Sequence, residues 1–279
     1  MNELQRDATL ATEIAEEAGR LLVALRTAAE AGSTAAQPLD AAALRAAGDT
    51  SAHEAITAAL RVARPNDAVL SEEAADDLRR LTADRVWIID PLDGTREFGE
   101  RDAAGVWRDD FAVHVALWER NKGLTLGVVT LPARGATYSS DTPLAVPPSP
   151  IGRLRIAVSR TRPPEFIAAL KVSEAATLVP IGSAGVKVMA VVSGEVDAYI
   201  HAGGQYQWDS AAPVAVALAA GLIATRLDGS PLRYNVPELL LPDLVVCHPE
   251  RAHEVRALLD AAGFGPDTQR GAGAAESAE

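Results

Sequence analysis

"WIIDPLDGTREF", Trp87 to Phe98, is the stretch on which the reading of the fold turns. An apolar run ends in Asp90, and Asp93 follows three residues later. Pro91 lacks a ladder N–H and is expected to stop a central strand at that point. Gly94 allows a backbone approach that a side chain would block, and Thr95 can cap a following helix. Such a turn aims two carboxylates at one point. Two charges that close need a counter-ion. An oxygen-only donor set suits Mg²⁺, and helix N-terminal N–H groups suit a phosphate. A lone Asp-x-x-Asp turn can also do no more than cap a helix, so the rest of the chain has to decide.

Outward from this turn the chain alternates strands and helices. Leu4, Ala11, Ile14, Ala18, Leu21, Leu22 and Leu25 recur at three- and four-residue steps, which predicts a long opening helix. Gly32, Ser33 and Pro38 break it, and "TSAHEAITAALRVAR" from Thr50 reads as a second helix, stopped by Pro65. "AVLSEEAADD" reads as a short strand running into an acidic turn. "RVWIID" and "DDFAVHVALWER" read as strands, and "GLTLGVVTLPARGATYSS" as two more around a Pro132–Gly135 turn. "TPLAVPPSPIGR" holds four prolines without periodicity and marks a boundary near residue 150. Beyond it come strand "LRIAVS", helix "PEFIAALKV", helix "GVKVMAVVSGEV", strand "DAYIHA", a long apolar helix over "WDSAAPVAVALAAGLIAT", strand "LLPDLVVCHPE" and helix "RAHEVRALLDAAG". The expectation is an α/β chain of two halves, 1–150 and 151–265, with layered sheets and helices between them. A Gly/Ala/Glu-rich tail, 266–279, is expected to be disordered.

Composition narrows the function. With 279 residues, 48% of them apolar, the chain can bury a sizeable core. Its net charge of −12 argues against nucleic-acid backbone binding, which needs clustered Lys and Arg. The same charge repels an anionic metabolite unless a local device reverses the sign, and a bound divalent cation is such a device. One cysteine, Cys247, excludes an internal disulfide framework and a cysteine-rich zinc site. No signal-peptide core and no run of about 18 apolar residues is present. The expectation is a soluble, cytoplasmic protein without a membrane partner.

Two further acidic segments settle the meaning of the turn. "LSEEAAD" puts Glu72 and Glu73 after an apolar strand, and "QWDSAAP" puts Asp209 at the head of an apolar helix. Alone, the first is an acidic helix start and the second an N-cap. Together, Ser71-Glu72-Glu73, Asp90-Pro91-Leu92-Asp93-Gly94-Thr95 and Trp208-Asp209-Ser210-Ala211-Ala212 resemble the inositol monophosphatase superfamily, with its G-E-E, D-P-[IL]-D-G-T and W-D-x-A-A motifs. Ser71 replaces the usual glycine. The resemblance spans roughly residues 5 to 250. It implies an αβαβα sugar-phosphatase fold, two or three Mg²⁺ ions, lithium sensitivity and a homodimer. Glu73, Asp90, Asp93, Asp209 and the Leu92 carbonyl are implied as metal ligands, and Asp93, Gly94 and Thr95 as the phosphate cradle. Asp49, where the family has T-x-A-D, is implied to hold an outer metal or to orient the attacking water with Thr95, and Glu73 shares in the catalytic set. The family's threonine is missing before Asp49, and a helix N-cap is the alternative reading of that residue.

The residues after the turn carry the substrate branch. Arg96-Glu97-Phe98 resembles the D-G-T-K-E-F of the CysQ-type 3′-phosphoadenosine 5′-phosphate phosphatases. "AVSRTRPPE" and "GSAGVKV" resemble that branch's S-R-S-H and G-S-S-x-K, with Ser159, Arg160, Ser183 and Lys187 retained. Arg162 stands for the histidine, one extra residue precedes Lys187, and His201 stands where the branch often has arginine. The implied substrate-binding set is Ser159, Arg160, Ser183, Lys187 and Asp209, with Lys187 the first partner for a 5′-phosphate and Arg160 the second. A solvated helix position is the alternative for Lys187. The implied reaction is hydrolysis of the 3′-phosphate to AMP and phosphate, which clears a by-product of sulfate activation. An inositol monophosphatase or fructose-1,6-bisphosphatase is the rival reading, and a non-catalytic metal- or nucleotide-binding homologue a further one.

Other signals have plainer readings. "GSAGVKV" is no phosphate-binding P-loop, because Lys187 does not follow a glycine. Cys247 reads as a strand residue, His114 as a packing residue in an alternating strand, and His53 as helix surface. The segment 99–110 reads as a solvated loop, with a lid over the site as the alternative.

Overall fold

The computed structural model describes residues 2–33, 40–161, 163, 166 and 176–264. Helix α1 (Glu3–Ala31) buries Ile14, Ala18 and Leu22 along one stripe and is capped by Asn2, which exchanges hydrogen bonds with Gln5. Helix α2 (Ala41–Ala63) starts at Ala41, not at Thr50. Its cap is Asp40, whose carboxylate accepts from the N–H groups of Ala42 and Ala43. The added turns are alanine-rich, so helix propensity holds them where the apolar period is diluted. Asp49 therefore lies inside a helix, and the N-cap reading of it is corrected.

The first sheet runs β1 (Ala68–Ser71), β2 (Arg85–Asp93), β3 (Ala112–Glu119), β4 (Gly123–Leu131) and β5 (Ala136–Ser139), in that order. Only β1 and β2 pair in parallel. β2 does not stop at Pro91. Its ladder with β3 breaks after Asp90–His114 and resumes at Asp93–Ala112. β1 pairs last at Ser71–Ile89, so the proline sits where β2 has already lost one neighbour. A short helix, α3 (Thr95–Phe98), follows the turn.

The second sheet has β6 (Leu154–Ser159), β7 (Ala176–Ile181), β8 (Ala198–Tyr206), β9 (Ile223–Thr225) and β10 (Leu240–Cys247), in the order β7-β6-β8-β10-β9. The second half also carries helices α4 (Ala184–Val192), α5 (Gln207–Ala219) and α6 (Ala252–Ala261). The apolar run expected as one helix to Thr225 ends at Ala219. Gly221 has φ 85°, and the Leu222 N–H reaches back to the Ala217 carbonyl at 3.0 Å, so the chain turns and Ile223–Thr225 pairs as β9. The helix expected over "PEFIAALKV" lies, apart from Phe166, outside the described residues, as do Arg162 and the tail from Pro266.

Period-two alternation sorts the strands into layers. Trp87 and Ile89 pack with Leu22 and Ile56 of α1 and α2, whereas Val86 and Ile88 pack with α4 and α5. The second sheet puts Tyr199 and Val246 on the same central layer and Ile200 and Val245 on the other side, under Val255 and Leu259 of α6. The result is an αβαβα stack. Asp90, two residues after Ile88, faces the central helices. No helix among the described residues is long and apolar enough to cross a membrane.

Candidate active site

The turn after β2 builds the floor. Asp90 is buried, and its Oδ1 accepts from the Leu92 N–H at 3.1 Å. Gly94 has φ 92°, and a Cβ there would meet the Asp110 carbonyl at 3.1 Å and Ser183 Cβ at 3.2 Å, so both conformation and space call for glycine. The Thr95 hydroxyl lies 3.0 Å from the Leu92 carbonyl and 3.2 Å from Asp49 Oδ1. α2 thus delivers Asp49 to the turn from inside the helix. Gly48 beside it lets the two elements approach, since a Cβ there would lie 2.8 Å from the Phe98 ring. Burial, reinforced by Glu73, pushes the Asp49 carboxyl up to about 6 against the Thr95 hydrogen bond.

Asp209 enters from the first turn of α5, where its Oδ2 accepts from the Tyr206 N–H at 2.7 Å. One carboxylate oxygen each from Asp90, Asp93 and Asp209 lie within 4.8 Å of one another. Burial first, then the neighbouring charges, raises Asp90 well above the usual carboxylate range and Asp209 to about 8. Glu72, absent from the ligand set that the motifs imply, belongs to this group. Its carboxyl stands beside that of Asp90, and desolvation on that side, with the charges of Asp93, Glu73 and Asp49, lifts it to about 7 although the residue also reaches the surface. The charge of Glu73 acts on both Asp49 and Glu72. The doublet is visible in the sequence, but which member turns toward Asp90 depends on the end of β1.

His114 is corrected from a packing residue to a member of the cluster. It pairs with Asp90 across β2 and β3 and is fully buried. Its Nε2 lies 3.3 Å from Asp93 Oδ2 and its Nδ1 3.3 Å from the Trp208 carbonyl. Burial lowers its pKa, with Asp93 opposing. His53 is likewise not plain helix surface. It is half-buried, and its Nδ1 lies 3.0 Å from Ser71 Oγ, which ties α2 to the end of β1.

The start of α4 grips Asp93. Ser183 Oγ and the Gly185 N–H both donate to Asp93 Oδ2, and the same Ser183 hydroxyl accepts from the Val186 N–H. Asp110, not singled out from the sequence, holds this turn by accepting from the Gly182 N–H at 2.7 Å. Lys187 is 5% exposed, which removes the solvated-helix alternative. Its ammonium lies 5.1 Å from the Tyr199 ring centroid, and burial lowers its pKa against the pull of Asp93, Glu97, Asp209 and Asp110. Arg160 pairs with Glu97 and Glu100. His201 Nε2 lies 3.0 Å from the Gly204 carbonyl.

These elements enclose a cavity of about 270 Å³ with Asp93 and Asp209 at one end and Ser159, Arg160, Ser183 and Lys187 along its walls. The carboxylates are mutually repulsive and their donors are all oxygen. That set fits a hard divalent cation such as Mg²⁺, with the Leu92 carbonyl as a further oxygen.

A model of the inositol monophosphatase family matches residues 3–260. The chain is 53% identical over 243 residues to the 3′-phosphoadenosine 5′-phosphate phosphatase of Mycobacterium bovis, covering 85% of this chain and 86% of that one. It is 33% identical over 207 residues to the 3′(2′),5′-bisphosphate nucleotidase CysQ of Escherichia coli K12, covering 70% and 81%. Among solved structures, inositol monophosphatase II of Staphylococcus aureus superposes with a TM-score of 0.74 at 20% identity, over 93% of this chain and 96% of that one.

Proposed function

This chain belongs to the inositol monophosphatase family, and we propose that it is a Mg²⁺-dependent phosphatase that removes the 3′-phosphate of 3′-phosphoadenosine 5′-phosphate, leaving AMP and phosphate. The names of its mycobacterial and enterobacterial relatives support the substrate. The observation that carries the reading is a cavity with an acidic floor and a buried cation, Lys187, in its wall. That arrangement serves a substrate with two anionic ends, one cleaved at the floor and one held by the wall.

Asp90, Asp93 and Asp209 would hold the ions, with Glu72, Glu73 and the Leu92 carbonyl completing the set and Asp49 an outer ligand. When bound, two or three Mg²⁺ ions neutralise the phosphate dianion and ease both water attack and leaving-group departure. The backbone N–H groups of Gly94 and Thr95 hold the phosphate oxygens. Thr95 and Asp49 orient the attacking water. Ser183 and His114 keep Asp93 in place rather than touching the substrate. Arg160 positions Glu97 at the cavity wall, and Lys187, the buried cation of that wall, is the partner for the 5′-phosphate. Ser159 lies on the nucleoside side. The first half of the chain supplies most of the floor, and the second half supplies Asp209 and the wall. Millimolar Li⁺ inhibits, and the working form is a cytoplasmic homodimer that clears a by-product of sulfate activation.

Lys187→Met tests the assignment through phosphate release. KM for adenosine 3′,5′-bisphosphate rises about 10- to 100-fold, the cost of one lost charge-assisted contact. Turnover of inositol 1-phosphate, which has no second phosphate, is little changed. Equal losses on both substrates would assign Lys187 to the fold or the cluster instead.

A further inference from the structure

Gln205, near the end of β8, is 5% exposed, yet neither Nε2 nor Oε1 of its amide has a hydrogen-bond partner. A buried amide unpaired at both ends is uncommon in native proteins and calls for an explanation. The sheet register shows where it points. Gln205 stands opposite Leu241, and directly opposed residues project to the same face. Leu241 belongs to the central core between the sheets, so Gln205 faces that side, and it lines the cavity with Lys187, Tyr199 and Asp209.

The backbone is shaped for this placement. The β8–β10 register slips between Ala202 and Gln205, across Gly203 and Gly204, which sit at φ 108° and 83°. That is left-handed backbone that favours glycine, and a bulge of this kind re-aims the side chain that follows. Four residues on, Asp209 accepts from the Tyr206 N–H, which ties the segment carrying Gln205 to the acidic floor. Neighbouring polar groups of the wall are already committed: Ser183 to Asp93, Arg160 to Glu97 and Glu100, His201 to the Gly204 carbonyl.

Resting on the nucleotidase reading, we infer that Gln205 is a specificity-determining residue that holds a donor and an acceptor side by side on the uncleaved part of the nucleotide. An amide offers one of each. A phosphate oxygen accepts only and would leave Oε1 unpaired, so the partner is not the second phosphate. Adenine's amino edge is complementary to a glutamine amide, and a ribose hydroxyl is the other source of the same pair within the molecule. Because the amide is unpaired without substrate, its removal costs selectivity without costing stability.

The test compares wild type with Gln205→Met, which keeps the length and removes the amide. kcat/KM is measured on adenosine 3′,5′-bisphosphate, its inosine counterpart, its 2′-deoxy counterpart and inositol 1-phosphate, with a thermal melt of each protein. Wild type prefers the adenosine compound over at least one analogue by about 10- to 100-fold. In Gln205→Met that ratio falls to about 1, while Tm and inositol 1-phosphate turnover hold or rise. Collapse of the inosine ratio assigns the contact to the base, and collapse of the 2′-deoxy ratio assigns it to the ribose. If the methionine variant does not fold, Gln205→Leu, which also removes the amide without adding a charge, gives the same ratios to compare. Unchanged ratios in an active variant, or equal losses on all four substrates, overturn the inference. A wild type that leaves adenosine 3′,5′-bisphosphate intact overturns the nucleotidase reading itself, and the role of Gln205 with it.

Discussion

Asp90 concentrates the physics of the site in one residue. It is fully enclosed, and it faces Glu72, Asp93 and Asp209, so its charged form is disfavoured by burial and by every carboxylate around it. A cation that enters converts each of those penalties into an attraction. Asp90→Asn and Asp209→Asn each lower kcat by a factor on the order of 10³ while the fold survives, because each removes a charge that the ions need and relieves repulsion in their absence. Steady-state kinetics beside circular dichroism separates the two effects, and near-normal turnover in either variant would remove these residues from the metal set. That Asp90, Asp93 and Asp209 come together at one point was legible from their motifs. His114 was not. Alternation along β3 gives two faces, but only the ladder with β2 shows that one of them looks onto Asp90.

At the scale of elements, the segment between Phe98 and Phe111 shows why some structure cannot be read from the chain. The Arg26 guanidinium of α1 lies 4.5–5.0 Å from the ring centroids of Phe98, Trp107 and Phe111 and donates to the Phe98 and Arg108 carbonyls at 2.8 Å. Trp107 Nε1 donates to Glu30 on the same helix. The segment is pinned to α1 by partners far away in sequence, which no local pattern announces. At its far end Asp110 holds the Gly182 N–H, next to the Ser183 that grips Asp93. Arg26→Ala should therefore destabilise the fold by about 2–3 kcal/mol, from lost cation–π contacts and from the Phe98 carbonyl, buried, and the Arg108 carbonyl, part-buried, losing their donor. It should also reduce kcat/KM through the loosened Asp110–Gly182 contact. Urea denaturation read beside kinetics checks both, and a variant as stable as wild type would mean that the stack holds nothing in place. The boundaries of α2 and α5 depart from the sequence expectation for a simpler reason. Alanine-rich turns extend α2 without an apolar period, and Gly221 ends α5 inside a run that stays apolar because β9 is needed by the second sheet.

The whole molecule is a stack in which two sheets clamp a layer of helices, and the site lies where β2, β8 and the starts of α4 and α5 meet. The layering was legible because strands with two apolar faces need cover on both sides. The cavity was legible only in outline, since the lining pairs residues such as Arg160 and Glu97 that are distant in the chain. A net charge of −12 surrounds a site meant for an anion, so activity has to depend on bound cations more steeply than the fold does. Metal dependence and preference for a 3′,5′-bisphosphate nucleotide are read together from kcat/KM for phosphate release from adenosine 3′,5′-bisphosphate and from inositol 1-phosphate, with Mg²⁺ in excess and again after chelation. The expected result is a preference for the nucleotide on the order of 100-fold or more, with release from both substrates abolished by chelation and restored by Mg²⁺. Undiminished release in chelator, or a preference for inositol 1-phosphate, would overturn the proposed activity.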